Sequence, residues 1–256
     1  MAVTSDSRKP ALIADNVHVV YRVFGGRKKA YRGAESRFRD AVEGAKKTRS
    51  AVTEIHAVRG ISLVAHHGES IGIVGRNGAG KSTLLRALAG LIPPSQGHVH
   101  VDAQPSLLGV SAALMPSMTG EKNIMLGCLA MGLSLDEARE RFDEIVEFSG
   151  IGEFVYLPMT AYSSGMQARL RFAISAAIVP DILMVDEALA TGDRAFRAKS
   201  KEKFDEIREK AGTVFLVSHN PGSIEEHCDR AIWIDKGKII ADGTATDVMK
   251  EYTQAE

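Results

Sequence analysis

The chain has 256 residues, enough for one large domain or two small ones with a sizeable core. Its 32 Lys and Arg balance 32 Asp and Glu, so no net charge draws the whole molecule to nucleic acid or acidic lipid. Apolar residues make up 45% and charged residues 25%, as in an ordinary soluble globular protein.

No uninterrupted apolar run approaches the ~20 residues that span a bilayer. The run from Phe172 to Val185 is cut by Pro180 and Asp181, and the opening MAVTSDSRKP lacks the apolar core of a signal peptide. Cys128 and Cys228 are far apart and form neither a disulfide framework nor a zinc pattern. The expectation is a soluble chain in the cytoplasm, serving any membrane process from the surface or through a partner.

In chain order, residues 11–24 are rich in Val and Ile and read as a strand or two. From Gly25 to about Glu54 the texture turns basic and polar. That stretch is either a solvated surface segment or a contact for anionic headgroups or a membrane partner. VRGISLVAHHGESIGIVG then gives two strands with a turn at His67-Gly68. The second, Ser70 to Val74, is a continuous apolar run of the kind that parallel sheets bury.

Lys81 to Leu91 reads as a helix stopped by Pro93-Pro94. Residues 111–177 are mostly helical in period, most clearly from Asp136 to Gly150. Strands return at Ile182 to Val185 and Thr213 to Ser218, with a helix from Ala195 to Lys210 between them. RAIWIDKGKIIADG reads as a hairpin turning at Lys236-Gly237. Alternating strands and helices around a helical insertion predict an α/β domain with a parallel sheet.

Four stretches carry chemistry. GRNGAGKST, from Gly75 to Thr83, matches G-x-x-x-x-G-K-[ST] between a predicted strand and a predicted helix, the context that motif requires. The glycines Gly75, Gly78 and Gly80 let the backbone wrap a phosphate, and Asn77 and Ala79 are binding positions of the same loop. Lys81 reaches the β- and γ-phosphates, and the Ser82 hydroxyl, beside Thr83, is a Mg²⁺ ligand.

ILMVDEA is an apolar strand ending in two carboxylates. Asp186 is placed to hold Mg²⁺, and Glu187 to polarise an attacking water; the plainer reading is an acidic helix start. His219 follows the next strand, either as a structural imidazole or as a γ-phosphate contact. In AYSSGMQARLRF, Ser163, Ser164 and Gly165 open a helix, as an ordinary N-cap or as an anion site. His98 and His100 share one strand face and could bind a metal, but with no third ligand evident an exposed strand edge is the better explanation.

These motifs together resemble the ATP-binding subunit of ABC transporters over nearly the whole chain. The resemblance implies a P-loop NTPase fold: a RecA-like parallel sheet core, an antiparallel β subdomain and an α-helical subdomain at about 111–177. It implies ATP and Mg²⁺ as ligands, ATP hydrolysis as the activity, and a homodimer. Each ATP would lie between Lys81, Ser82, Asp186, Glu187 and His219 of one copy and Ser163, Ser164 and Gly165 of the other. Asp193, in ALATGD, matches the acidic position of the loop after the catalytic Glu. Tyr21 matches an aromatic that stacks on adenine.

Two departures narrow the resemblance. The signature that the family commonly writes Leu-Ser-Gly-Gly-Gln reads YSSGM here, and the family's usual Gln is missing near Gly109 to Ser111. Together with TGEKNI and DEALATGDRAFRAK, they resemble the polysaccharide-exporter branch, of the short Wzt and teichoic-acid type. That branch implies a lipid-linked glycan as cargo (O-antigen, teichoic acid or galactan) and a Wzm-type permease in the membrane, with no nucleic acid as partner. The chain would sit on the cytoplasmic face of the inner membrane, and no C-terminal carbohydrate-binding domain is expected. The alternatives are an ABC ATPase serving another cargo and a soluble ABC ATPase.

Overall fold

The computed structural model describes residues 8–24, 52–108, 114–186, 194–218 and 220–255. β1 (Pro10–Phe24) is a single strand rather than two. It pairs antiparallel with β2 (Val52–His66) on one side and β4 (Gln96–Val101) on the other, giving a sheet of order β2-β1-β4. Its continuity survives an irregularity at Asn16, whose φ of 47° suits the short amide side chain.

The second sheet has the order β5-β6-β7-β3-β8-β9. Its strands are β3 (Ser70–Val74), β5 (Pro105–Leu107), β6 (Ile182–Asp186), β7 (Thr213–Val217), β8 (Arg230–Asp235) and β9 (Lys238–Thr244). All pairings are parallel except the β8–β9 hairpin.

Both faces of this sheet are buried, which is why its strands read as unbroken apolar runs. Ile71, Ile73, Ile182, Met184, Phe215, Val217, Ile232 and Ile234 point to one side. There they meet the antiparallel sheet and α1 (Lys81–Leu88). The alternate residues Val74, Leu183, Val185, Val214, Leu216 and Ala231 face the other side. They pack with α6 (Arg194–Lys210), α7 (Pro221–His227) and α8 (Ala245–Ala255). Each such side chain taken out of water contributes roughly 1.5–3 kcal/mol before the entropy of ordering is charged against it.

α1 stops at Leu88, short of the Leu91 expected. Gly90 takes a left-handed φ of 72°, and the Gly90 and Leu91 amides donate back to Ala87 and Arg86. This C-terminal motif ends the helix before the prolines are reached.

The expected helix at 136–150 is two helices, α3 (Leu135–Glu140) and α4 (Phe142–Ser149). Arg141 stands between them with a φ of −91° and a ψ of −4°, and its guanidinium donates to the Ala177 carbonyl. With α2 (Gly120–Ala130) and α5 (Ser164–Ser175) they surround a separate core of Ile124, Ile145, Met159, Leu170 and Ile174. Phe148, Phe172 and Phe196 join that core to the sheet, with ring centroids 5.8–5.9 Å apart.

Candidate functional site

β3 leads directly into the glycine-rich loop, and α1 leads out of it. Gly75 has a φ of 147°, and a Cβ there would lie 2.1 Å from the Ile234 carbonyl oxygen. Only glycine lets the loop leave β3 against β8. Gly80 stands at the N-cap of α1 with no side chain to satisfy the first amides, so those N–H groups face outward. Asn77, Gly78, Ala79, Gly80, Lys81, Ser82, Thr83 and Asp186 line one cavity of about 340 Å³. A helix start facing a concave backbone is an anion site by construction.

Lys81 is 5% exposed, and its Nζ donates to the carbonyls of Gly75 at 2.6 Å and Arg76 at 3.1 Å. Burial lowers its pKa, and the Asp186 carboxylate opposes that shift. A buried ammonium held by loop carbonyls, facing a carboxylate across a small cavity, suits a triphosphate with a divalent cation. The hydroxyl of Ser82 and the carboxylate of Asp186 are both hard oxygen donors of the kind Mg²⁺ prefers.

Ala57 also lines this cavity, and no sequence motif marked it. Val19 pairs with Val58 but Val20 pairs with His56, so Ala57 is an extra residue bulged out of β2. The bulge drops its carbonyl onto Gly80. The only sequence signal is the short run of mixed polarity around it, which says nothing of a loop 20-odd residues downstream.

The remaining sequence candidates are placed as follows. Tyr21 is exposed and does not line the cavity. It lies on the same face of β1 as the buried Val19, which packs in the core with Ala79. Ser163, Ser164 and Gly165 form the start of α5, away from the cavity lining. The Ser163 hydroxyl accepts from the Met166 amide at 3.2 Å, an N-cap bond, and both serines are exposed. Glu187, Asp193 and His219 lie outside the described residues, as does the position 109–111 of the missing Gln and the basic stretch 26–50. His98 and His100 are exposed on β4 at the sheet edge, and among the described residues no group of three metal-binding side chains occurs. Met131 and Met125 pack against the helical core, and Met115 is exposed.

Tyr162 was legible only as a departure from the family signature. Its side chain is buried, and its hydroxyl donates to the Phe154 carbonyl at 2.6 Å. Gln167 donates to the carbonyls of Met159 and Tyr162, so the turn before α5 is fixed from both sides. Asn123, fully buried, similarly ties α2 to the segment before it: its side chain accepts from the Met115 amide and donates toward the Met115, Met118 and Thr119 carbonyls.

The sheet order, the loop between β3 and α1 and the carboxylate at the end of β6 define a P-loop nucleotide-binding fold. Residues 58–190 match the family model described as ABC transporter. The chain is 39% identical over 234 residues to the O-antigen export system ATP-binding protein RfbB of Myxococcus xanthus, covering 90% of this chain and 53% of that one. It is 41% identical over 206 residues to the teichoic acids export ATP-binding protein TagH of Shouchella clausii, covering 80% and 57%. With TagH of Staphylococcus haemolyticus it shares 37% over 240 residues, covering 94% and 87%. The chain therefore belongs to the ABC transporter family of ATP-binding proteins.

It spans little more than half the length of the first two of these relatives. Among solved structures, a dimeric ATP-binding cassette in a post-hydrolysis state bound to ADP and Pi matches at 21% identity with a TM-score of 0.64. That match covers 91% of this chain and 98% of that one. An ATP-binding subunit of an ABC transporter matches at 20% identity and a TM-score of 0.66, covering 95% and 93%. At these identities the likeness establishes the fold, an α/β ABC ATPase fold. Among the described residues no helix is long and apolar enough to cross a membrane.

Proposed function

We propose that this chain is the ATP-hydrolysing subunit of an ABC transporter that exports a lipid-linked polysaccharide across the cytoplasmic membrane. The observation that carries the ATPase reading is the single cavity shared by the loop amides, Lys81, Ser82 and Asp186. The export reading rests on relatives near 40% identity whose names specify O-antigen and teichoic acid export. The cargo, O-antigen, teichoic acid or galactan in type, is a lipid-linked glycan in this reading.

In this reading the loop amides and Lys81 bind the triphosphate of ATP, and Tyr21 stacks on its adenine. Ser82 and Asp186 would hold Mg²⁺, which supplies charge neutralisation at the phosphates. Glu187, directly after Asp186, accepts a proton from the attacking water, and His219 donates to the γ-phosphate. Ser163 and Ser164 are exposed, and Gly165 half-buried, at a helix start outside the cavity lining, which supports their acting on the nucleotide held by a second copy. Asp193 takes the acidic position that the family has after the catalytic Glu. The homodimer, with a helical subdomain spanning about 111–177, would drive a Wzm-type permease from the cytoplasmic face of the inner membrane.

The test is purification of the tagged chain from its own host's membranes in mild detergent, followed by assay of MgATP hydrolysis. A polytopic membrane protein and a lipid-linked glycan are expected in the purified material. Recovery with ribosomes or nucleic acid, or with no membrane partner, would overturn the export reading; absence of hydrolysis would overturn the ATPase reading.

A further inference from the structure

The outer face of the β2-β1-β4 sheet carries a second concave surface, a groove of about 910 Å³ on the side of the sheet turned away from the core. The strand register assembles it. His18 lies opposite Arg59, and Arg22 lies opposite Glu54, with His56 between them on β2. Because Ala57 is bulged, Arg59 and His56 come to the same face, although they are three positions apart, where strict alternation would set them on opposite faces. Lys238, at the start of β9, completes the rim.

The charge of this groove is lopsided. Its one carboxylate, Glu54, already pairs with Arg22 at 3.1 Å. Among the described residues no carboxylate is within ion-pair reach of Arg59 or Lys238. The Arg59 Nε donates to the His56 carbonyl at 3.2 Å, which fixes the guanidinium while leaving its two terminal nitrogens for another acceptor. Two uncompensated permanent cations thus face one concavity beside two imidazoles.

The walls are also fixed relative to each other. The Arg59 amide donates to the Gly237 carbonyl at 2.8 Å, and the Gly237 amide donates to Ala79 in the P-loop at 2.8 Å. Gly237 has a φ of 80°, and a Cβ there would lie 2.7 Å from the Ala57 oxygen, so the hairpin that carries Lys238 sits tightly on β2. On the far wall the Ser95 hydroxyl accepts from the Val20 amide and the Ser95 amide donates to His18. Strands held in place before a ligand arrives, with the Arg59 guanidinium fixed on one of them, leave less to be ordered on binding.

We propose that this groove is a second anion site, distinct from the P-loop, which binds a soluble diphosphate-class anion through Arg59 and Lys238. A guanidinium fork and an ammonium together match phosphate oxygens, and a ligand with two or more negative charges matches the two unpaired cations. The site goes beyond the export reading and stands or falls without it, since it uses none of the residues that hold ATP.

The probe is inorganic pyrophosphate, titrated into the full chain by calorimetry at low and at physiological salt. Two sites are expected in the unaltered protein, the P-loop and the groove. The double variant Arg59→Ala/Lys238→Ala should lose one of them and Lys81→Ala the other. The single variant Lys238→Gln, at the exposed start of β9, should weaken the groove site at least tenfold. Groove affinity should also fall as salt rises. Unchanged stoichiometry and affinity in Arg59→Ala/Lys238→Ala, or in Lys238→Gln, would overturn the proposal. So would binding of the chain to phosphatidylglycerol vesicles, lost in Lys238→Gln, with no groove affinity for pyrophosphate. The response of the melting temperature to MgATP should be unchanged in the groove variants, which separates failure of this site from failure of the nucleotide site.

Discussion

The carbonyl oxygen of Ala57 occupies the place a side chain on Gly80 would need: a Cβ there would lie 2.3 Å from it. A bulge in one sheet is thus the wall that shapes the phosphate loop of the other. Gly80 also holds a φ of 108°, which an L side chain rarely adopts. Gly80→Ala should therefore cost about 1–3 kcal/mol of stability and abolish the rise in melting temperature that ATP produces. Gly78 has a φ of 81° but no atom within 4 Å of its Cβ direction. Gly78→Ala should cost only about 1 kcal/mol. Equal losses in the two variants, by urea unfolding, would show that the Ala57 contact contributes nothing.

Lys81 is a buried ammonium whose pKa is lowered by burial. Its folded value lies below its unfolded one, so the unfolded chain binds more protons between the two. Its cost to stability is fully present below that window and is relieved as pH rises through it. Replacing the ammonium by a side chain of similar length and no charge removes that cost. Ligand-free Lys81→Met should melt as high as the unaltered protein or a few degrees higher. It should lose the ATP-induced shift and at least about 10²-fold in turnover. A scanning-fluorimetry shift with ATP that survives in Lys81→Met would refute the assignment.

The parts of this fold that were legible in the sequence are those set by local rules. The apolar runs at Ser70–Val74 and Ile182–Val185 are what a sheet buried on both faces demands, and the spacing from Gly75 to Thr83 is fixed by the backbone's need to enclose a phosphate. What the sequence hid depends on partners distant along the chain. Ala57 reaches the site only because β2 slips by one residue against β1. Arg141, between α3 and α4, meets its partner at the Ala177 carbonyl, and no periodicity of 136–150 signals that. The end of α1 was misplaced for the opposite reason: Pro93-Pro94 is the louder stop signal, but Gly90 acts first.

Glu187 directly follows Asp186, whose strand position beside the P-loop is described. In the proposed function Glu187 is the general base and Asp186 the Mg²⁺ carboxylate, so Glu187 should matter for proton transfer and not for nucleotide affinity. Glu187→Gln should keep the ATP-induced rise in melting temperature and lose about 10²–10⁴-fold in steady-state hydrolysis. It should also accumulate as an ATP-bound dimer on size-exclusion chromatography, since hydrolysis no longer separates the copies. Normal turnover in this variant would remove Glu187 from the chemistry.

Tyr162 offers the sharpest separation of packing from hydroxyl. Its ring is buried against the helical core, while its oxygen donates to the Phe154 carbonyl at 2.6 Å. That oxygen also lies 2.2 Å from where a Cβ on Gly120 would stand, so Gly120, at the start of α2, is the floor on which the hydroxyl rests. Tyr162→Phe keeps the ring and removes one of two donors to the Phe154 carbonyl, which retains the Leu157 amide at 2.9 Å, so it should cost about 0.5–1.5 kcal/mol in urea unfolding. Because Tyr162 directly precedes the Ser163 cap, the loss should reach the start of α5. If that helix start meets ATP in a second copy, Tyr162→Phe should weaken dimer formation with ATP while leaving nucleotide affinity of the single chain intact. Gly120→Ala should give the same pattern by pushing the hydroxyl off its place. A loss of single-chain ATP affinity in either variant would instead tie Tyr162 to the P-loop side of the molecule.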